Sequence, residues 1–192
     1  RLTRRLGDHL LGVLRRAVSR MRTLVEAGYG AAVMNYRGAG GMPGAPSQAD
    51  IVADAVAVHD ALAGDAPPVL YGTSIGAAVA VELAARREAR ALVLAAPFAQ
   101  LCTVAEHHHP WVPACLVMWD ERWDSVERIG GVATPVLILH GARDRIVPVA
   151  EAERLAEAAG EGARLVVYPR AGHRDLARHG AVAEVLRFLE GR

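Results

Sequence analysis

The feature that most constrains the fold is a regular alternation of short apolar runs with helical patterns. Strands alternating with helices of this length indicate βαβ units, and therefore a mostly parallel sheet with helices on both faces. The predicted strands are 30–36, 67–71, 91–95, 135–140 and 164–168. The predicted helices are 10–26, 51–62, 75–87, 149–159 and 175–189. We therefore expect an α/β fold.

Length and composition indicate a single globular domain over 1–192. A chain of 192 residues is long enough for one sizeable core and short for two. With 52% hydrophobic and 22% charged residues and a formal net charge of +1, the chain is neither disordered nor strongly basic. This balance predicts no nucleic-acid partner, and it leaves the oligomeric state unknown.

The sequence contains no apolar run long enough to cross a bilayer and no signal-peptide core near its start. A cytoplasmic location is the simplest expectation, although anchoring by a missing N-terminal segment stays open. The first residue is Arg1 and not methionine, which suggests a fragment or a processed form.

All 22 basic side chains are arginine, and they are scattered along the chain, not gathered at one phosphate-sized site. We interpret this as composition bias. The first predicted helix has a polar side with four of these arginines, for which a solvated face is a simpler interpretation than contact with acidic lipid or nucleic acid. They are Arg15, Arg16, Arg20 and Arg22.

Local signals place several element boundaries. Gly28 is typical of a helix stop. Ser47, with Asp50 three residues later, resembles a capping box and predicts a helix start. Between these signals, 37–46 is rich in glycine and proline and is predicted to be a loop.

Residues 97–125 break the alternation and have no clean strand pattern. Three tryptophans, several prolines and a run of three histidines in this segment favour an insertion over the edge of the sheet, in the manner of a lid. Four apolar side chains are candidates for contact with an apolar substrate, with packing inside the lid as the simpler alternative. They are Trp111, Leu116, Met118 and Trp119.

The lid segment also carries the residues that invite a metal or thiol hypothesis. Cys102 and Cys115 lie in no zinc-type or C-x-x-C spacing, so we expect buried free thiols. The side chains of His107, His108 and His109 diverge because they are consecutive, and no acidic or cysteine partner stands at ligand spacing. No metal and no other cofactor is predicted.

The pattern Gly72-x-Ser74-x-Gly76 follows an apolar strand and opens an alanine-rich helix. A serine in such a tight turn is exposed at the carboxyl end of the sheet, and the flanking glycines avoid collisions with the neighbouring backbone. A small polar residue that merely begins a helix is the alternative interpretation of Ser74.

A serine nucleophile needs a base, and the base needs a group that orients it. Asp144 follows the strand predicted at 135–140, and His173 follows the strand predicted at 164–168. All three residues stand after strands, where open α/β sheets place their ligands. The alternatives are a surface ion pair of Asp144 with a neighbouring arginine, and a helix-capping role for His173.

These motifs resemble the α/β-hydrolase superfamily, and within it small-lid serine hydrolases of serine-aminopeptidase, monoacylglycerol-lipase and depalmitoylating type. The resemblance rests on Asn35-Tyr36-Arg37-Gly38, Gly72-Thr73-Ser74-Ile75-Gly76, Ala96-Pro97-Phe98, Leu139-His140-Gly141 with Asp144 and Ile146-Val147-Pro148, and Gly172-His173. It implies an acyl-enzyme on Ser74, with His173 as base and then acid. Asp144 would fix the imidazole tautomer. The implied substrate is a small or acyl-type ester, thioester or amide.

An oxyanion hole needs two donors, and the backbone N–H of Ile75 is the expected first one. The second normally follows an early strand, in the region of Leu6-Gly7-Asp8-His9-Leu10-Leu11, where no His-Gly pair occurs. Residues 1–5 also make a poor buried strand. The alternative function is therefore a catalytically weak or inactive binding module of the same fold.

The resemblance further implies that the strands which normally begin this fold are absent or degenerate. The strand predicted at 30–36 would then pair directly with 69–71, or a gap would expose sheet edges. We expect direct pairing or a marginally stable fold.

Overall fold

The computed structural model describes residues 18–39, 41–62, 64 and 66–191. Its first element is a helical segment over 18–26, α1. The elements that follow alternate between helix and strand over most of the chain. In order they are α2 (Gln48–Leu62), β1 (Val69–Thr73), α3 (Ile75–Ala84), β2 (Ala91–Ala95), α4 (Leu101–His108), α5 (Ala114–Val117), α6 (Ser125–Ile129), β3 (Val136–Gly141), α7 (Val149–Ala159), β4 (Ala163–Tyr168) and α8 (Ala181–Glu190).

The four strands form one parallel sheet in the order β1-β2-β3-β4. The register pairs Thr73 with Ala95, Ala95 with Leu139, and Gly141 with Tyr168. The carboxyl ends of β1, β3 and β4 therefore open onto the same edge of the sheet. This edge is where the sequence places Ser74, Asp144 and His173.

The strands bury side chains on both faces, which explains their continuous apolar runs. Leu92, Leu94 and Ile138 point into one core, which α2, α3, α6 and α7 cover. Val93 and Leu139 point into the opposite core, which α8 covers. The predicted α/β architecture with helices on both faces is confirmed.

Most predicted elements are confirmed, and 91–95 and 149–159 match the observed bounds. The predicted loop at 37–46 contains no helix or strand among its described residues. Gly28 ends α1 with a φ of 93°. The capping prediction is also confirmed, because the Ser47 Oγ accepts a hydrogen bond from the Asp50 N–H at 3.1 Å and donates one to the Asp50 carboxylate at 2.8 Å.

The strand predicted at 30–36 is wrong. These residues are in no helix or strand, and Val33 is 49% exposed. An apolar run becomes a strand only when a neighbour satisfies its backbone groups, and no described strand pairs with it. Direct pairing with β1 therefore does not occur, and β1 is an edge of the sheet formed by the described residues. The early residues 1–5 and 6–11 lie outside the described part of the chain.

Two predicted helices are shorter than expected. The helix predicted at 75–87 ends at Ala84. The helix predicted at 175–189 divides into a 3-10 turn, Leu176–His179, and α8, because Gly180 between them has a φ of 92°. Left-handed backbone cannot continue an α-helix, so the chain changes direction at this glycine.

Within the described ranges, no helix combines the length and apolarity that a membrane crossing requires.

Candidate active site

Ser74 lies in the turn between β1 and α3, with φ 56° and ψ −122°. A non-glycine residue in this region is strained by about 1 to 3 kcal/mol, which the surrounding structure must offset. The Ser74 N–H donates to the carbonyl of Ala95 at 2.9 Å, and the Ser74 carbonyl accepts from the N–H of Ala77 at 2.8 Å. The turn is thereby fixed between the sheet and the first turn of α3.

The side chain of Ser74 does not cap the helix that it precedes. Its Oγ lies instead 3.1 Å from Nε2 of His173, which is 99 residues away in the sequence. Ser74 therefore does more than begin an apolar helix, because its hydroxyl contacts His173 and not the helix.

Asp144 is held in the loop after β3 by its own carboxylate. Its Oδ1 accepts hydrogen bonds from the N–H groups of Ile146 and Val147, at 2.8 and 2.9 Å. Its Oδ2 lies 2.7 Å from Nδ1 of His173, and the side chain is completely buried. The surface ion pair with a neighbouring arginine does not form among the described residues.

The electrostatic balance at Asp144 favours the charged carboxylate. Burial acts to raise its pKa, but the hydrogen bonds from His173, Val147 and Ile146 outweigh burial and hold the pKa below its ordinary value. A carboxylate only accepts hydrogen bonds, so Nδ1 of His173 is the donor. In neutral His173, Nε2 is then unprotonated and accepts the Ser74 O–H.

His173 lies in the loop after β4, which packs closely against the end of β3. A Cβ atom on Gly141 would lie 2.7 Å from the carbonyl carbon of Ala171, so only glycine permits this approach. The N–H of Gly172 donates to Asp175 at 2.7 Å, which steadies the turn. Both ring nitrogens of His173 face Asp144 and Ser74, and a helix-capping role is not observed.

His140, at the end of β3, is a residue whose contacts the sequence reasoning missed. Its ring is fully buried, and its Nε2 donates to the carbonyl of Val147 at 3.0 Å and lies 3.5 Å from Oδ2 of Asp144. Burial lowers its pKa, against the opposing effects of the Val147 hydrogen bond and the Asp144 charge. The sequence signal that could have found this residue is its position, because His140 is a polar residue directly after the apolar run 135–139.

The predicted oxyanion donor, Ile75, is the first residue of α3. The N–H of a first helical residue has no carbonyl partner within its own helix, so it is free to face a ligand. The segment 6–11, where the second donor was sought, lies outside the described residues. A nearby polar group is the hydroxyl of Tyr36, which lies 3.1 Å from where a Cβ on Gly76 would be.

The predicted free thiols are wrong. Cys102 in α4 and Cys115 in α5 form a disulfide that crosses the predicted lid, with 13 residues of sequence separation. The spacing of the two cysteines matches no metal or redox motif, and it does not reveal that two short helices, α4 and α5, bring them together. Helix packing decided the pairing.

The alternative of packing inside the lid is contradicted for three of the four apolar candidates, whereas the third tryptophan of the segment, Trp123, is buried. Trp111 is 79% exposed, Leu116 is 81% exposed and Trp119 is 78% exposed, whereas Met118 is half-buried. Residues 97–125, the predicted lid, therefore expose large apolar side chains.

The predicted lid segment, 97–125, is joined to the rest of the described structure by specific hydrogen bonds. Buried Glu151 of α7 accepts hydrogen bonds from the N–H groups of Ala99 and Gln100 and from the Thr103 hydroxyl, at 3.0, 3.3 and 2.9 Å. At the end of α4, the His108 ring hydrogen-bonds to the carbonyl of Ile146 at 2.8 Å. The lid thus contacts the loop that carries Asp144.

Comparisons with known proteins show the family of this chain. The sequence model of the family described as "Serine aminopeptidase, S33" matches residues 12–127 and 110–177. An uncharacterized protein of Mycobacterium tuberculosis is 45% identical over 148 residues, which are 74% of this chain and 52% of the relative. The uncharacterized protein YfhR of Escherichia coli is 32% identical over 170 residues, or 83% of this chain and 59% of YfhR.

Solved structures show the same fold at low sequence identity. The esterase Pf2001 of Pyrococcus furiosus has a TM-score of 0.72 at 21% identity and covers 92% of this chain and 73% of its own. The esterase EaEST of Exiguobacterium antarcticum has a TM-score of 0.70 at 18% identity and covers 92% and 87%. The chain spans about half the length of the curated relatives it matches. The family match and the shared fold place this chain in the serine aminopeptidase S33 family of α/β hydrolases.

Proposed function

We propose that this chain is a serine hydrolase that cleaves an ester, thioester or amide bond through an acyl-enzyme on Ser74. The observation that carries the proposal is the continuous contact from Ser74 Oγ to His173 Nε2 at 3.1 Å and from His173 Nδ1 to Asp144 Oδ2 at 2.7 Å. No group in this mechanism requires a cofactor.

In the proposed reaction, His173 Nε2 removes the Ser74 proton while Oγ bonds to the substrate carbonyl carbon. The tetrahedral intermediate collapses, and His173 gives that proton to the departing alcohol, thiol or amine. Water then attacks the acyl-enzyme with His173 again acting as base, which releases the acid and restores Ser74. The Ile75 N–H donates to the oxyanion, and Asp144 stabilises the imidazolium.

Domain organisation and location belong to the same proposal. We treat residues 1–192 as part of one hydrolase domain with a lid at 97–125, because both cores share the same four strands. The cytoplasmic location stays a prediction. The disulfide between Cys102 and Cys115 weighs against it, since disulfides are rare in reducing compartments.

Labelling with a fluorophosphonate probe tests the nucleophile. The probe forms a covalent bond with an activated serine, so the wild-type chain should be labelled and Ser74→Ala should not. Ser125→Ala is a matched control, because Ser125 is a buried serine at the start of α6. Equal labelling of wild type and Ser74→Ala would refute the proposal.

The alternative, a binding module with little activity, is tested by turnover. Esters of p-nitrophenol with acyl chains of increasing length should be hydrolysed repeatedly if the oxyanion site is complete. A single burst of p-nitrophenol followed by no turnover would instead favour the binding module, because acylation without deacylation consumes only one equivalent.

A further inference from the structure

Four arginines flank the acid and the base of the proposed triad. Arg143 and Arg145 stand on either side of Asp144, and Arg170 and Arg174 stand around His173. All four are exposed. We call these four side chains the arginine rim.

Backbone hydrogen bonds hold the two loops of the arginine rim together. The N–H of Ala142 donates to the carbonyl of Tyr168 at 3.0 Å, and the N–H of Arg143 donates to the carbonyl of Ala171 at 2.9 Å. Residues that are far apart in the sequence are therefore neighbours at the carboxyl edge of the sheet. The fold thereby places the four arginines on two adjacent loops.

The arginine rim has no carboxylate partner among the described residues, whereas several arginines elsewhere are paired with carboxylates. Arg37 pairs with Asp50 and Asp54, Arg87 pairs with Asp60, and both Arg164 and Arg187 pair with Glu184. The hydrogen-bonding capacity of the four guanidinium groups of the rim is thus not used within the described part of the chain.

The two carboxylates in the same loops offset only part of the positive charge of the arginine rim, because four arginines outnumber them. Asp144 is buried, and both of its oxygens are occupied by Ile146, Val147 and His173. Asp175 accepts from the N–H of Gly172 through one oxygen, and its other oxygen lies 3.6 Å from the His179 ring. The rim therefore carries an excess of positive charge beside the triad.

We propose that the arginine rim binds phosphate, so that the substrate class is an acyl ester or thioester whose leaving group carries a phosphate. This proposal rests on the proposed hydrolase function. Guanidinium groups bind phosphate oxygens through paired, charge-assisted hydrogen bonds, which a neutral leaving group cannot accept as strongly. The exposed apolar side chains of the lid, joined to the Asp144 loop by His108, are available to an acyl chain.

Binding of ether analogues tests the arginine rim without any chemistry. We would compare 1-O-decylglycerol 3-phosphate with 1-O-decylglycerol by isothermal calorimetry on the wild-type chain, at concentrations below micelle formation. The two compounds share the apolar chain and differ in the phosphate. The phosphate compound should bind about tenfold more tightly at low salt, and the difference should shrink at about 1 M NaCl, where the Debye length is about 3 Å.

Charge-removing variants locate the effect. The double variants Arg143→Gln/Arg145→Gln and Arg170→Gln/Arg174→Gln should each weaken phosphate binding about fivefold, because several exposed charge contacts are lost. The corresponding lysine variants keep the charge but lose the paired hydrogen bonds, so their phosphate binding should fall between that of wild type and that of the glutamine variants. Arg87→Gln, whose arginine is paired with Asp60 away from the site, is the matched control and should bind as wild type does.

Hydrolysis then identifies the source of the phosphate. One pair of substrates is 1-decanoylglycerol 3-phosphate and 1-decanoylglycerol, and the other is decanoyl-coenzyme A and the decanoyl thioester of N-acetylcysteamine. If the phosphate-bearing member of the first pair has the higher kcat/KM, the phosphate belongs to a lipid headgroup. If the phosphate-bearing member of the second pair has the higher kcat/KM, the phosphate belongs to a nucleotide carrier. Either result supports the proposal if the glutamine variants reduce the preference.

The failure of this proposal differs from the failure of the hydrolase function. Tighter binding of the phosphate ether without turnover of any substrate would support the arginine rim and count against the hydrolase. Equal binding of both ethers, or a phosphate preference that survives all four Arg→Gln substitutions, would overturn the arginine rim even if p-nitrophenyl esters are hydrolysed.

Discussion

A Cβ atom on Gly72 would overlap the carbonyl oxygen of Gly76 and lie 2.5 Å from the Cα of Ala77. At Gly76 itself, an added Cβ would meet only the hydroxyl of Tyr36, at 3.1 Å. The two glycines around Ser74 are therefore not equivalent. Glycine is required at position 72 because rigid backbone atoms occupy the space that a side chain would need. At position 76, an added methyl group would meet only the end of the Tyr36 side chain.

Gly72→Ala should destabilise the protein by more than about 3 kcal/mol, because neither the sheet nor the start of α3 can move away from the added methyl group. Gly76→Ala should stay within about 1 kcal/mol of wild type, since the gain in helix propensity offsets the displacement of Tyr36. Urea unfolding of both variants measures the difference, and equal losses would contradict the distinction.

Asp144→Asn should lower kcat about 10⁴-fold while the fold is retained, because an amide in place of the carboxylate favours the wrong imidazole tautomer of His173. The measurement is p-nitrophenyl ester hydrolysis, with circular dichroism to verify folding. Asp60→Asn is the control, since Asp60 pairs with Arg87 away from the triad. If Asp144→Asn retains wild-type kcat, Asp144 does not serve the base.

His140 should make stability depend on pH. Burial lowers its pKa in the folded chain, so the unfolded chain takes up a proton on His140 first as the pH falls. The stabilisation is therefore complete above the ordinary histidine pKa of about 6.5 and decreases as the pH falls from there towards the folded value. His140→Gln should unfold with a weaker pH dependence than wild type between about pH 7 and 5. Parallel stability profiles for the two proteins would argue against this assignment.

Reduction of the Cys102–Cys115 disulfide should lower the free energy of unfolding by up to about 3 kcal/mol, as expected for a loop of this length. Cys102→Ser/Cys115→Ser should show the same loss and should no longer respond to reductant. Mass spectrometry after alkylation reports the thiol state in the purified protein. Two alkylated cysteines without prior reduction would show that the bond does not form.

The local sequence pattern predicted most helices and strands. It failed where the formation of a strand depends on a neighbouring strand that the pattern cannot reveal. Residues 91–95 are apolar at every position, and buried parallel strands have this composition, so their position was predictable. Residues 30–36 have a similar composition but no hydrogen-bonded neighbour in the described sheet, and so they form no strand. Sequence periodicity reports what a segment can bury and not whether a partner strand stands beside it.

The sequence by itself determined the α/β architecture and the identity of the candidate triad, because strand periodicity and the tight turn at Ser74 are local properties. The tertiary structure alone decided which groups meet. Asp144 turned inward to His173 and away from its neighbouring arginines, since three hydrogen bonds offset its burial. The tertiary structure also joins Cys102 to Cys115 and places the four arginines of the rim on two adjacent loops. These contacts connect residues distant in the sequence, so only the register of the sheet and the packing of its loops could specify them.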